Sequence, residues 1–143
     1  MIKSVKWAQL FLMGAAVAVV SAASAGIAVV VNPAVGDSFD KSQVERLFLG
    51  KTSKLPGGGA AQVVDQVDGT AARVGFYQGV SGKSESQVKA YWSKLIFTGK
   101  GTPPQQVADD AAVKAFVGST ANGIGYVDSG SVDGSVKVVF ELP

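Results

Sequence analysis

Apolar positions along the chain fall into three kinds of pattern. Leu10 to Val20 is an unbroken apolar run, preceded by Lys3 and Lys6 and followed by the small residues Ser21 to Ala25. Ile27 to Val31 is a second, shorter run that ends at Asn32-Pro33. Apolarity without alternation predicts a strand covered on both faces, as in a parallel sheet. Elsewhere apolar residues recur at helical spacing. Asp40 and Gln43 form a capping-box signature ahead of Val44, Leu47 and Phe48, and Gly50 stands where a left-handed C-cap is expected. Ser84 and Gln87 form a second box ahead of the stripe Val88, Tyr91, Trp92, Leu95 and Ile96, which ends at Gly99.

Weaker signals complete the order. Gln62 to Val67 reads as a strand, and Ala71 to about Val80 as a helix capped by Asp68 or Thr70. Gly75 and Gly79 each cost about 1 kcal/mol relative to Ala in a helix, so this one depends on tertiary packing. Lys51 to Gly59 is a loop with Pro56 and Gly57-Gly58-Gly59; no Gly-Lys-Ser/Thr follows these glycines, so they are not a phosphate loop. Gly101 to Pro104 is a stiff connector. A further helix is capped by Asp109 or Asp110, with Val113, Phe116 and Val117 inward. Ile124 to Val127 and Val136 to Phe140 are short strands, and the last pair could form a hairpin. The order β-α-β-α-α-α-β-β predicts an α/β fold: a three-layer αβα domain with a mostly parallel sheet.

The N-terminal pattern matches a signal peptide: basic start, apolar run, and an Ala-x-Ala cleavage site at Ala23-Ser24-Ala25. The competing reading is a membrane anchor, but the run is shorter than the roughly 20 residues that span a bilayer. Residues 1 to 25 are therefore expected to be removed and residues 26 to 143 to form one exported domain, periplasmic or secreted. Without Lys3 and Lys6, the 13 basic residues fall to 11 and balance the 11 acidic ones. No basic patch then speaks for nucleic acid or for an anionic membrane surface.

The chain has no Cys and no His. It has neither disulfides nor a lipidation cysteine. Ser-His and Cys-His dyads are excluded, and a zinc site would need carboxylates alone. An enzyme would need a carboxylate pair or a Ser-Lys dyad, and no spacing marks one. The reading is non-enzymatic, with no cofactor and no metal; Asp128 and Asp133 match a calcium loop only loosely, without the EF-hand spacing.

The candidate site is the turn Asp68-Gly69-Thr70 with Arg73 one turn into the following helix. A helix start offers free N–H groups and a positive dipole end to an anion. The same residues also suit an ordinary strand-to-helix turn, needing a flexible Gly and a hydroxyl cap. Arg73 is either an anion clamp or a solvated helix residue. Tyr91 and Trp92 read as core, and Gly123 and Gly125 as places where backbone passes close to another element.

Three segments, in order, resemble the phosphate-binding subunits of bacterial phosphate ABC importers, which are type 2 periplasmic binding proteins. They are Val44-Glu45-Arg46-Leu47-Phe48-Leu49-Gly50-Lys51, the strand entering Asp68-Gly69-Thr70, and Ala121-Asn122-Gly123-Ile124-Gly125-Tyr126-Val127. Short exported single-lobe relatives also carry Tyr91-Trp92 and Phe97-Thr98-Gly99-Lys100-Gly101-Thr102-Pro103-Pro104 in this form. The resemblance implies one lobe of a two-lobed fold that, in full-length members, holds an anion between lobes with backbone N–H groups, hydroxyls, an Arg and an Asp. Two departures stand out. The chain is too short for a second lobe, and Asp65-Gln66 stand before the turn where an Arg is expected; Asp65 would repel an anion.

Two functions follow. The first is an exported solute-binding module that contacts phosphate or a similar small anion at Asp68, Gly69, Thr70 and Arg73. Its partners would be a membrane permease or sensor protein, and a homodimer would rebuild the cleft. The second is a non-catalytic structural or interaction protein of the cell envelope that keeps the lobe without the ligand.

Overall fold

The computed structural model describes residues 26–36 and 38–143; the expected signal segment, residues 1–25, lies outside them. The elements run β1 (Ile27–Val31), α1 (Lys41–Phe48), β2 (Gln62–Gln66), α2 (Ala71–Ser81), α3 (Glu85–Phe97), β3 (Gln105–Val107), α4 (Asp110–Ser119), β4 (Gly123–Asp128) and β5 (Lys137–Leu142). A single 3-10 turn, Ser129–Ser131, follows β4.

The sheet order is β3-β2-β4-β1-β5. β2 runs parallel to β3 and β4, while β1 runs antiparallel to β4 and β5. The sheet is therefore mixed, and the expectation of a mostly parallel sheet holds only for its β3-β2-β4 half. An unbroken apolar strand reports cover on both faces and carries no information on direction. β1 also separates β4 from β5, so the last two strands are not a hairpin.

Successive side chains of β1 enter two different cores, as a period of two requires. Val29 and Val31 join the core built with α1, α2 and α3, whose members include Leu47, Phe48, Phe76 and Trp92. Ala28 and Val30 join the smaller core against Val113 and Val117 of α4. Three helices on one face and one on the other give the three layers expected from the sequence.

Caps set the helix ends. Asp40 and Ser84 each form the expected capping box, with Gln43 and Gln87. Thr70, rather than Asp68, caps α2, and Asp109, rather than Asp110, caps α4. Gly50 has the left-handed conformation (φ 72°) expected after α1. Gly79 of α2 lies against Leu142 so closely that a Cβ would come within 2.9 Å of its side chain. The helix recovers in packing what its glycines lose in propensity.

β3 has no counterpart in the sequence reading. It is three residues long, two of them Gln, and pairs with Val64, Asp65 and Gln66 of β2. Gly125 does mark a close approach: an added Cβ would lie 2.7 Å from Val113 and 2.8 Å from Val64. Gly125→Ala should destabilise the protein by about 1–3 kcal/mol through overpacking. Urea midpoints check this, and an unchanged midpoint would mean that α4 moves away freely.

Candidate functional site

β2 delivers the site to one corner of the sheet. Val64 faces α4, so alternation turns Asp65 to the opposite face, beneath α2. The chain then turns at Asp68-Gly69, with Gly69 at φ 87°, a left-handed value that favours glycine. The Thr70 hydroxyl accepts a hydrogen bond from the Arg73 N–H at 3.2 Å and so caps α2.

The structure brings Asp68, Gly69, Thr70 and Arg73 together, but Arg73 is not solvated. It is 3% exposed. Its Nη1 donates to Asp65 Oδ2 at 2.9 Å and to the Gln66 carbonyl at 3.0 Å. Its Nε donates to both Glu85 oxygens at 3.0 Å. Its Nη2 lies 3.5 Å from Asp68 Oδ1, and the guanidinium carbon sits 5.2 Å from the Tyr77 ring centre. Burial alone would lower the Arg73 pKa; the surrounding charges, Asp65 foremost, more than reverse this and raise it.

Glu85, the first residue of α3, was not anticipated. Its Oε2 accepts the Gly69 N–H at 3.0 Å while the same carboxylate receives Arg73 Nε. An internal carboxylate therefore already engages the Gly69 N–H and the Arg73 guanidinium, two of the donors that the sequence reading offered to an anion. Asp68 stands at the exposed rim, paired with Lys89 at 3.2 Å. Lys89 first, with Arg73 adding, holds the Asp68 carboxyl below its ordinary range against partial desolvation. Three carboxylates, Asp65, Asp68 and Glu85, thus surround two cations, Arg73 and Lys89. A further anion at this turn would meet a net negative charge.

Below the turn Asp65 anchors a buried polar network. It accepts hydrogen bonds from Tyr77 Oη at 2.6 Å, from the Gln66 N–H at 2.8 Å and from the Tyr126 hydroxyl. Both tyrosines are raised well above their ordinary pKa, mainly by burial and then by the Asp65 charge. Tyr126 also stacks on Phe76, with ring centres 4.1 Å apart. Sequence reading missed Tyr77 and Tyr126 as Asp65 partners. A usable signal existed for Arg73: with Phe76, Tyr77 and Val80 it lies on one helical stripe, and all four are buried.

The remaining candidates resolve locally. Tyr91 and Trp92 belong to the core, with Trp92 buried and Tyr91 Oη donating to the Leu49 carbonyl at 2.6 Å. Asp110 accepts from Gln66 Nε2 at 2.7 Å and from Ser131 Oγ at 2.7 Å, tying β2 to the loop after β4. Asp133 pairs with Lys114 at 2.9 Å. An open groove of about 750 Å³ runs along Ala71, Ala72, Gly75 and Gly79 of α2 beside Phe140 and Leu142, and neither Gly69 nor Arg73 lines it.

No family model matches the chain, and no curated protein does. Solved structures do. A protein described as a phosphate ABC transporter substrate-binding protein, with bound phosphate, from Clostridium perfringens superimposes with TM-score 0.64 at 24% identity, covering 80% of this chain and 44% of that one. An ABC-type phosphate transport receptor from Vibrio cholerae gives TM-score 0.64 at 21% identity, covering 80% of this chain and 45% of that one. The chain spans less than half the length of these structures. Its fold is that of a single lobe of a phosphate-type substrate-binding protein.

Proposed function

We propose that the protein is an exported, non-catalytic interaction module of the cell envelope, built on a solute-binding lobe whose anion position is held by its own Glu85. The observation that carries this reading is the Glu85 carboxylate on both the Gly69 N–H and Arg73 Nε. The excess of carboxylates at the turn supports it further. Export rests on the sequence of residues 1–25, and a sensor or permease is the partner class the fold suggests.

A second reading keeps a phosphate role. It is favoured by the phosphate bound to the Clostridium perfringens relative and by Glu85 being 25% exposed and so able to swing out. In this reading phosphate displaces Glu85 from Gly69 and Arg73.

A thermal titration with phosphate, sulfate and chloride at fixed ionic strength separates the two. A ligand that binds only the native state stabilises it by about 2.7 kcal/mol at a hundredfold excess over its dissociation constant. The interaction reading predicts no phosphate-specific rise in Tm for the wild type at millimolar phosphate. Glu85→Ala should melt lower, having lost its bonds to Arg73 and Gly69, and should gain a phosphate-specific rise. A wild-type rise abolished by Thr70→Ala would establish the solute-binding reading instead.

A further inference from the structure

The helical stripe of α3 ends sooner than its sequence suggests. Val88 and Trp92 are buried, and Tyr91 and Leu95 pack against the same core. Ile96, expected inside, is 55% exposed, and Phe97 is 91% exposed. Gly99, in the left-handed conformation, then ends the helix, and Gly101 to Pro104 lead away. Two large apolar side chains therefore protrude from the C-terminal tip of a helix whose other turns are fixed in the core.

Lysines flank the tip. Lys94 lies three residues before Phe97, on the same side of the helix. Lys100 lines one shallow surface recess with Ile96, Thr102 and Pro103. Among the described residues no ion pair engages Lys94 or Lys100, whereas Lys89, nearer the helix start, pairs with Asp68. From Ser86 to Ala108 the sequence has no acidic residue. A chain with no net excess of basic residues beyond position 25 thus still gathers positive charge around Phe97, the most exposed aromatic ring among the described residues.

We propose that this tip docks on an anionic lipid surface, with Phe97 and Ile96 entering the interface and Lys94 and Lys100 against the head groups. The charge is complementary, and the combination of a protruding aromatic with lysines is that of interfacial membrane contacts. Protein interfaces, by contrast, are depleted in lysine and seat aromatic anchors in preformed pockets. The tip is held by Trp92 and Val88, so docking orders no new segment. With few contacts the attachment is reversible and screened by salt. α3 is 13 residues long, so its far end, with Glu85 and the Gly69 turn, stands about 20 Å from the tip and remains open to a partner.

The test uses the protein as the cell processes it, with sedimentation on phosphatidylcholine vesicles with and without phosphatidylglycerol. The wild type should bind the anionic vesicles at low salt and release at high salt. Phe97→Ser, and separately Lys94→Ala with Lys100→Ala, should weaken binding about fivefold or more, since one lysine near an anionic surface alone contributes about that factor. Both changes lie at exposed positions and leave the core intact. Phe97→Trp adds a direct reading: brominated lipid should quench it beyond the wild type, whose one tryptophan beyond residue 25 is the buried Trp92. Equal binding of wild type and Phe97→Ser, or no extra quenching in Phe97→Trp, would overturn the proposal.

Discussion

Asp65→Ala is expected to destabilise the protein by about 3–5 kcal/mol, the usual cost of leaving a buried charge without its partner. Asp65 is 2% exposed and Arg73 3%. Removing the carboxylate leaves a guanidinium in the interior with Glu85, Asp68 and the neutral Gln66 carbonyl as its remaining partners. It also leaves the Tyr77 and Tyr126 hydroxyls without their acceptor, each a further cost of about 1–3 kcal/mol if no water replaces it. Since small domains are stable by only about 5–15 kcal/mol, the loss should be visible as a large drop in the urea midpoint. Arg73→Met on the Asp65→Ala background should recover part of it, because the unpaired charge is then gone. A loss below about 1 kcal/mol in Asp65→Ala would mean that water reaches this network in the native state.

Alkaline pH should open the fold through the same residues. The native pKa values of Tyr77 and Tyr126 are raised by burial and by Asp65. A raised native pKa contributes stability that is fully present below the ordinary tyrosine value near 10 and is lost as pH rises toward the native one. In that window the unfolded chain releases both protons and the native state neither. Stability should fall by about 1.4 kcal/mol per pH unit for each tyrosine, or about 2.7 for the pair. The chain has three tyrosines. Tyr91, half-buried, is raised only by desolvation and should ionise with the fold intact. Absorbance at the tyrosinate band should therefore show one reversible step, then a second that coincides with loss of the circular dichroism signal. In Tyr77→Phe the slope of stability with pH should halve. Ionisation of all three tyrosines in a protein that keeps its native dichroism would contradict the buried network.

What was legible in the sequence follows from the range of the interactions involved. Caps such as Asp40 with Gln43 and Ser84 with Gln87 are bonds between near neighbours, so their residues announce them. Gly125 was legible as a close approach because a glycine in a strand has few other uses. Sheet direction was not legible, because Ile27 to Val31 would look the same in either orientation. β3 was lost because Gln105 and Gln106 carry no apolar signal and the strand is held by its pairing with β2. At the site, the turn and its cap were local and readable. Arg73 was misjudged because its charge obscured its place in the stripe with Phe76, Tyr77 and Val80. Glu85 could not be foreseen, since its bonds to Gly69 and Arg73 exist only once α3 folds back across the start of α2. Ile96 matched helical spacing but fell where the core had already ended.

Ligand binding by this lobe depends on the turn at Gly69. The lobe fold is shared with phosphate-type substrate-binding proteins, but here the chain supplies a carboxylate of its own to the N–H and guanidinium donors of the turn. Phosphate would have to displace Glu85 from a corner that already carries more negative than positive charge. The most direct measurement follows the Gly69 amide resonance during a phosphate titration of the wild type and of Glu85→Ala. An unmoved Gly69 amide in the wild type, and a saturable, phosphate-specific shift in Glu85→Ala, is the result this account predicts. A saturable wild-type shift at Gly69, with sulfate and chloride inert, would contradict it and return the protein to the solute-binding class.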